Sequence, residues 1–184
     1  WISARASTRP ETGKTGSKES IQAMVENKLI NGYEPALIRL YGARDSVEIT
    51  EQMAVALCGD RILALGREAL QLAQDPVAEQ MEKLVEIVSP LKDGVVADYE
   101  LAAKVFRYFV RKCCRHRLFF KPRIAVCVPL TLTKVERKVY EDVFYQVGAK
   151  KVLVVESAMD QAMAGLPAEY GVVVGIFPQP RNGR

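Results

Sequence analysis

The 184-residue chain is 49% hydrophobic and 26% charged, which is typical of a globular domain and excludes intrinsic disorder. No apolar run approaches the roughly 20 residues of a membrane-spanning helix. Four cysteines without a C-x-x-C spacing and a single histidine argue against a disulfide framework and a metal site. The formal net charge is only +4, yet residues 104–123 hold eight basic residues and no acid.

The first part of the chain is polar and is followed by strand patterns. Residues 1–27 are rich in Ser, Thr and Lys and show no apolar periodicity before Ile21, which predicts a flexible polar tail. From Lys28 short apolar runs alternate with turn residues. They predict two hairpins, each closed by a short turn that contains Gly, at 36–41 with 46–50 and at 53–58 with 61–65.

The rest of the chain alternates between helices and strands. Asp98 is a good N-cap, and Thr133 with Glu136 forms a capping box before a helix that Gly148 ends. A short helix is also predicted from Gly66 to about Gln74 and another across 158–164. Strands are predicted at 84–88, 119–129, 152–155 and 171–176. Hairpins followed by alternating strands and helices predict an α/β fold with a mixed sheet flanked by helices.

Several segments, taken in order, resemble the MreB family, the bacterial rod-shape-determining actins. They are Lys92–Tyr99, Phe106–Phe109, Phe120–Arg123, Val128–Pro129, Val135–Arg137 and Gly148–Val152. The resemblance runs from about Lys28 to Ile176, roughly the first half of a family member. It implies an actin-like (ribonuclease H-like) subdomain over 28–184, with a small inserted subdomain at about 45–90.

In this family ATP with magnesium lies between two halves of the protein, and the resemblance places three contact positions at Asn31, Ser157 and Gly175. Asn31 replaces an acidic residue, and Ser157 replaces a glutamate that orients the attacking water. The glycine-rich second phosphate loop is replaced by Gly175–Pro180, which contains Phe and two Pro. Glu156 is one position away, but its side chain is expected to point elsewhere. We therefore expect no catalytic residue, no nucleotide site and no bound cofactor.

The family also carries an apolar pair that enters the membrane, in the loop before its Lys-Pro-Arg strand. The corresponding residues here are Leu118 and Phe119, and they are flanked by Arg115, Arg117 and Lys121. A basic cluster with an apolar tip favours binding to an anionic membrane or an acidic partner. The alternative is that Phe119 begins the buried strand and the cations form a solvated helix face. Nucleic acid is disfavoured because the cluster lacks groove-reading motifs.

The resemblance implies a non-catalytic, actin-like cytoskeletal protein in the cytoplasm, at the inner face of a membrane or on a filament. Two alternatives stay open: a scaffold or adaptor module that has lost polymerisation, and a weak ATPase of the MreB type. Because the second half of the family fold is absent, Val172–Val174 and Met159–Leu166 are expected to expose apolar surface. Another copy or a partner chain would then cover the C-terminal strand.

Overall fold

The computed structural model describes residues 35–74, 85–115 and 121–178. Its strands are β1 (Leu37–Gly42), β2 (Val47–Gln52), β3 (Val55–Cys58), β4 (Arg61–Leu65), β5 (Glu86–Val88), β6 (Leu91–Lys92), β7 (Val95–Val96), β8 (Arg123–Cys127), β9 (Lys151–Val155) and β10 (Val172–Phe177). Its helices are α1 (Arg67–Leu72), α2 (Tyr99–Cys113), α3 (Lys134–Val147) and α4 (Met159–Gly165). Among the described residues, no helix is long and apolar enough to cross a membrane.

The larger sheet has five strands in the order β2-β1-β10-β8-β9. β10 is antiparallel to β1 and parallel to β8, and β8 is parallel to β9, so the sheet is mixed as predicted. Side chains alternate between its faces with the period of two that strands impose. Ile38, Leu40, Val174 and Ile176 lie on the face that α2 and α3 cover, and together they form the main core.

Helix α2 begins where its N-cap signal predicts, and helix α3 begins and ends where its sequence signals predict. The Asp98 carboxylate accepts a hydrogen bond from the Leu101 N–H at 3.0 Å. The Thr133–Glu136 capping box is present, and Gly148 adopts a left-handed conformation with φ 112° after α3. The buried stripe of α2 meets α3 through Phe106 and Phe144, whose ring centroids lie 4.7 Å apart. This packing fixes both helices against one face of the sheet.

A separate three-stranded sheet has the order β4-β3-β5. A small cluster that includes Ala54, Ala56 and Ala69 packs between this sheet and α1. Although the predicted insert at about 45–90 includes β2, this strand pairs antiparallel with β1 in the larger sheet, because a tight turn joins them. The division of the chain into a larger subdomain and a small inserted subdomain stays a prediction.

The expectation that the C-terminal strand leaves an open edge is wrong. β10 is the central strand of the larger sheet and is hydrogen-bonded on both sides. Val172, Val173 and Val174 are all buried, and Val173 packs in one cluster with Met159 and other residues of the second face. The edges of this sheet are β2 and β9. The order of strands along the chain does not fix their order in space, and here the last described strand lies in the middle.

Candidate functional site

A pocket of about 550 Å³ lies beyond the carboxyl ends of the parallel strands β8, β9 and β10. The segments that follow these strands line it: 127–130 after β8, 156–159 with Gln161 after β9, and 176–178 at the end of β10. In open α/β sheets, ligands bind outside the carboxyl ends of the strands. The pocket is therefore the candidate site of this chain.

Of the three positions that the sequence singled out, one lines the pocket and a second lies next to a lining residue in the chain. Ser157 lines it directly, and the residues after Gly175 form another part of its wall. A Cβ added at Gly175 would lie 2.8 Å from Phe177 Cε2 and 2.9 Å from Met159 Sδ. An aromatic ring and a thioether thus fill the space beside the Gly175 backbone. Asn31 lies outside the described residues.

The polar groups of the pocket are few and partly engaged. Glu156 forms an ion pair with Arg137 of α3, so its carboxylate already has a cationic partner. The Ser157 hydroxyl lies 3.4 Å from the Ala158 carbonyl oxygen, a long hydrogen bond. Of the described residues that line the pocket, none is Lys or Arg. The described part of the pocket wall therefore offers no positive side chain for a phosphate group.

The β6–β7 hairpin packs against two residues of the pocket wall, a contact that sequence reasoning missed. Asp93 and Gly94 at its tip have positive φ values of 52° and 80°. A Cβ at Gly94 would lie 3.1 Å from Pro178 Cγ and 3.4 Å from Pro129 Cγ, and both prolines line the pocket. The buried Tyr140 hydroxyl donates a hydrogen bond to the Gly94 carbonyl oxygen. The Asp-Gly pair is the signal in the sequence that could have indicated this tight turn.

Cys127 lies at the base of the pocket and behaves as an apolar group. Burial raises the pKa of its thiol to about 11, so the thiol is neutral near pH 7. Reactive cysteines have a lowered pKa, whereas burial shifts the pKa of Cys127 in the opposite direction. In the described ranges, no group of three or more His, Cys, Asp or Glu side chains could hold a metal ion.

Most of the described cations of the basic cluster at 104–123 are exposed to solvent. The apolar stripe of α2 packs into the core, which leaves Lys104, Arg111 and Lys112 exposed, and Arg115 after the helix is exposed too. Lys121, before β8, is exposed as well. Of the predicted membrane-binding residues, the remaining three lie outside the described residues: Arg117, Leu118 and Phe119.

Comparison with known proteins agrees with the resemblance seen in the sequence. The family model for MreB/Mbl protein matches residues 37–173. The cell shape-determining protein MreB of Haemophilus influenzae is 31% identical over 163 residues, which cover 84% of this chain and 45% of that protein. The cell shape-determining protein Mbl of Bacillus cereus is 36% identical over 96 residues, 52% of this chain and 27% of that one. The chain spans less than half the length of these relatives.

Two crystal structures of MreB5 of Spiroplasma citri, bound to ADP and to AMPPNP, resemble the chain with TM-scores of 0.56 and 0.57. Each is 25% identical to it, and the likeness covers 72% of this chain and 39% of theirs. The actin-like fold expected from the sequence is thereby confirmed. The family model matches more than half of this chain, and a relative more than 30% identical aligns with most of it. The chain therefore belongs to the MreB/Mbl family.

Proposed function

We propose that this chain is a non-catalytic, actin-like cytoskeletal protein that acts by self-association, as a filament subunit or bound to a filament. The observation that carries the proposal is the filling of the space beside Gly175 by Phe177 and Met159. Phosphate groups bind to free backbone N–H groups and cations. At this position the chain instead presents a ring and a thioether, and the described residues of the pocket wall include no Lys or Arg.

The membership of the MreB/Mbl family supports the cytoskeletal part of the proposal. MreB5 of Spiroplasma citri has been crystallised with ADP and with AMPPNP, and this chain aligns to 39% of it. We infer that the aligned region retains the architecture of the fold while its pocket does not bind a nucleotide. The weak-ATPase alternative would need a free carboxylate near Ser157, and Glu156 is paired with Arg137.

Calorimetric titration of the chain with ATP and magnesium tests the loss of nucleotide binding. We expect no saturable binding below millimolar concentrations, and micromolar affinity would overturn this part of the proposal. Sedimentation over a concentration series, with and without ATP, tests self-association. We expect pelleting that does not depend on ATP. A monomer at every concentration would favour the scaffold or adaptor alternative.

One observation favours attachment to an anionic surface as an additional function. α2 presents three exposed cations, Lys104, Arg111 and Lys112, and two more exposed cations, Arg115 and Lys121, come after it in the sequence. Each Lys or Arg near an anionic membrane contributes about 1 kcal/mol of attraction. This surface supports a placement in the cytoplasm, at the inner face of a membrane, with the apolar pair Leu118 and Phe119 as the inserted tip.

A further inference from the structure

The pocket has the composition of a site for an uncharged molecule. Its wall is built from apolar side chains of three separate segments: Val128, Pro129 and Leu130, then Met159, then Phe177 and Pro178. Aromatic and proline rings present flat surfaces on which another ring can pack. Small-molecule sites are typically concave, mostly apolar and furnished with a few polar groups. The volume of about 550 Å³ lies within the range of such sites, about 300–1,000 Å³.

The polar groups at the rim set the charge of the occupant. The Glu156 carboxylate and the Arg137 guanidinium neutralise each other, so this ion pair offers no free charge to an anion or to a cation. The Gln161 side chain lines the pocket and makes no hydrogen bond within the part of the chain that the structure describes. The Ser157 hydroxyl makes only a long contact. These two side chains can orient a neutral polar group.

We infer that the pocket binds one neutral, mainly aromatic small molecule, with its ring system against Phe177 and its polar end toward Ser157 and Gln161. This inference rests on the proposed loss of nucleotide binding at the same pocket. It goes further, because it assigns the pocket a ligand class in place of the nucleotide.

Two residues provide a matched pair of variants for the test. Leu130 is 76% exposed and lines the pocket, whereas Val135 is 74% exposed and does not. Because both side chains are largely in solvent, Leu130→Ser and Val135→Ser should leave the fold intact. They differ in whether the substituted side chain contacts the pocket.

The probe is Nile red, a neutral aromatic dye whose fluorescence rises in apolar surroundings, titrated into the full chain. We expect saturable binding at a stoichiometry near one, a loss of about fivefold in affinity for Leu130→Ser, and no change for Val135→Ser. A second variant, Ser157→Trp, should reduce binding further by filling the pocket. ATP with magnesium at micromolar concentration should not displace the dye.

Absence of saturable dye binding, or an equal effect of Leu130→Ser and Val135→Ser, would overturn the inference and leave the proposed function intact. Displacement of the dye by micromolar ATP would overturn both, since the pocket would then accept a nucleotide. Binding that Leu130→Ser and Ser157→Trp weaken selectively supports the assignment. Circular dichroism of each variant verifies that the fold is retained.

Discussion

Tyr140 and Gly94 are joined by a hydrogen bond from the buried phenol to the carbonyl oxygen at the tip of the β6–β7 hairpin. The contact links α3 to a turn that touches Pro129 and Pro178. The position of the pocket wall therefore depends on a helix whose residues do not line the pocket. Burial raises the pKa of Tyr140 well above its usual range, which keeps the phenol protonated as a donor.

Tyr140→Phe should destabilise the chain by about 1–3 kcal/mol, because it leaves the Gly94 carbonyl without its buried donor. Tyr145→Phe is the matched control. Tyr145 is 44% exposed and its hydroxyl accepts only a long contact from the Val152 N–H at 3.4 Å, so we expect a change within about 0.5 kcal/mol. Urea denaturation followed by circular dichroism measures both. Equal effects of the two variants would contradict the assigned role of Tyr140.

Val174→Asp tests the central position of β10. Val174 is fully buried and pairs with Leu40 on one side and Val126 on the other. An unpaired carboxylate at this position should destabilise the chain by more than about 4 kcal/mol, enough to prevent folding. Leu153→Asp on the edge strand β9 places the same charge where the side chain is 37% exposed, so this variant should remain folded. If Val174→Asp were as stable as Leu153→Asp, β10 could not lie in the middle of the sheet.

Stability should fall as the pH rises above 9. Burial raises the pKa of the Cys127 thiol from 9.0 to about 11 and that of Cys113 to about 12, with the neighbouring Cys114 adding to the second shift. Above pH 9 the unfolded thiols lose protons that the folded thiols keep. Their stabilising contribution is therefore complete below pH 9 and is lost as the pH approaches 11–12.

Each thiol can contribute a slope of at most about 1.4 kcal/mol per pH unit in this window. Urea titrations between pH 8 and 10.5 measure the slope. Cys127→Ala should make it shallower, whatever the cost of the lost sulfur at pH 8. An unchanged slope in this variant would show that Cys127 is as accessible to ionisation in the folded chain as in the unfolded one.

The double variant Leu118→Ser with Phe119→Ser should lower co-sedimentation with anionic liposomes, since the proposed apolar tip is removed while the surrounding cations stay. Leu130→Ser with Val135→Ser is the matched control, because it changes two largely exposed apolar residues outside the basic cluster. We expect the control to pellet like the wild type at low salt. A wild-type chain that never pellets with these liposomes would rule out the membrane proposal.

Local signals in the sequence predicted local structure well. The carboxylate at Asp98, the Thr133–Glu136 capping box and the left-handed Gly148 each act within a few residues, and the structure confirms all three. The hairpins joined by short turns were predictable for the same reason. In each case the residue that decides the conformation lies within the segment whose conformation it sets.

Long-range relationships were not predictable in this way. The pairing of Leu37 with Phe177 depends on which apolar strand fits between β1 and β8, and several Val-rich strands have similar patterns. The expectation of an exposed β10 failed on this point. Likewise, the resemblance indicated that the phosphate loop at Gly175 is replaced. It did not indicate that Met159 of helix α4 would occupy the space beside Gly175.

The central position of β10 has a consequence for the order of folding during synthesis. β1 and β8 leave the ribosome before β10, yet neither can complete its hydrogen bonds until Val172–Phe177 is available. At about 5–20 residues per second, the nascent β1 waits on the order of ten seconds for its partner strand. During this interval the edge of β1 that will pair with β10 can bind other extended chains. Pairing between strands so far apart in the sequence is also expected to be slow. Chaperone binding during translation is therefore expected to protect the unfinished sheet.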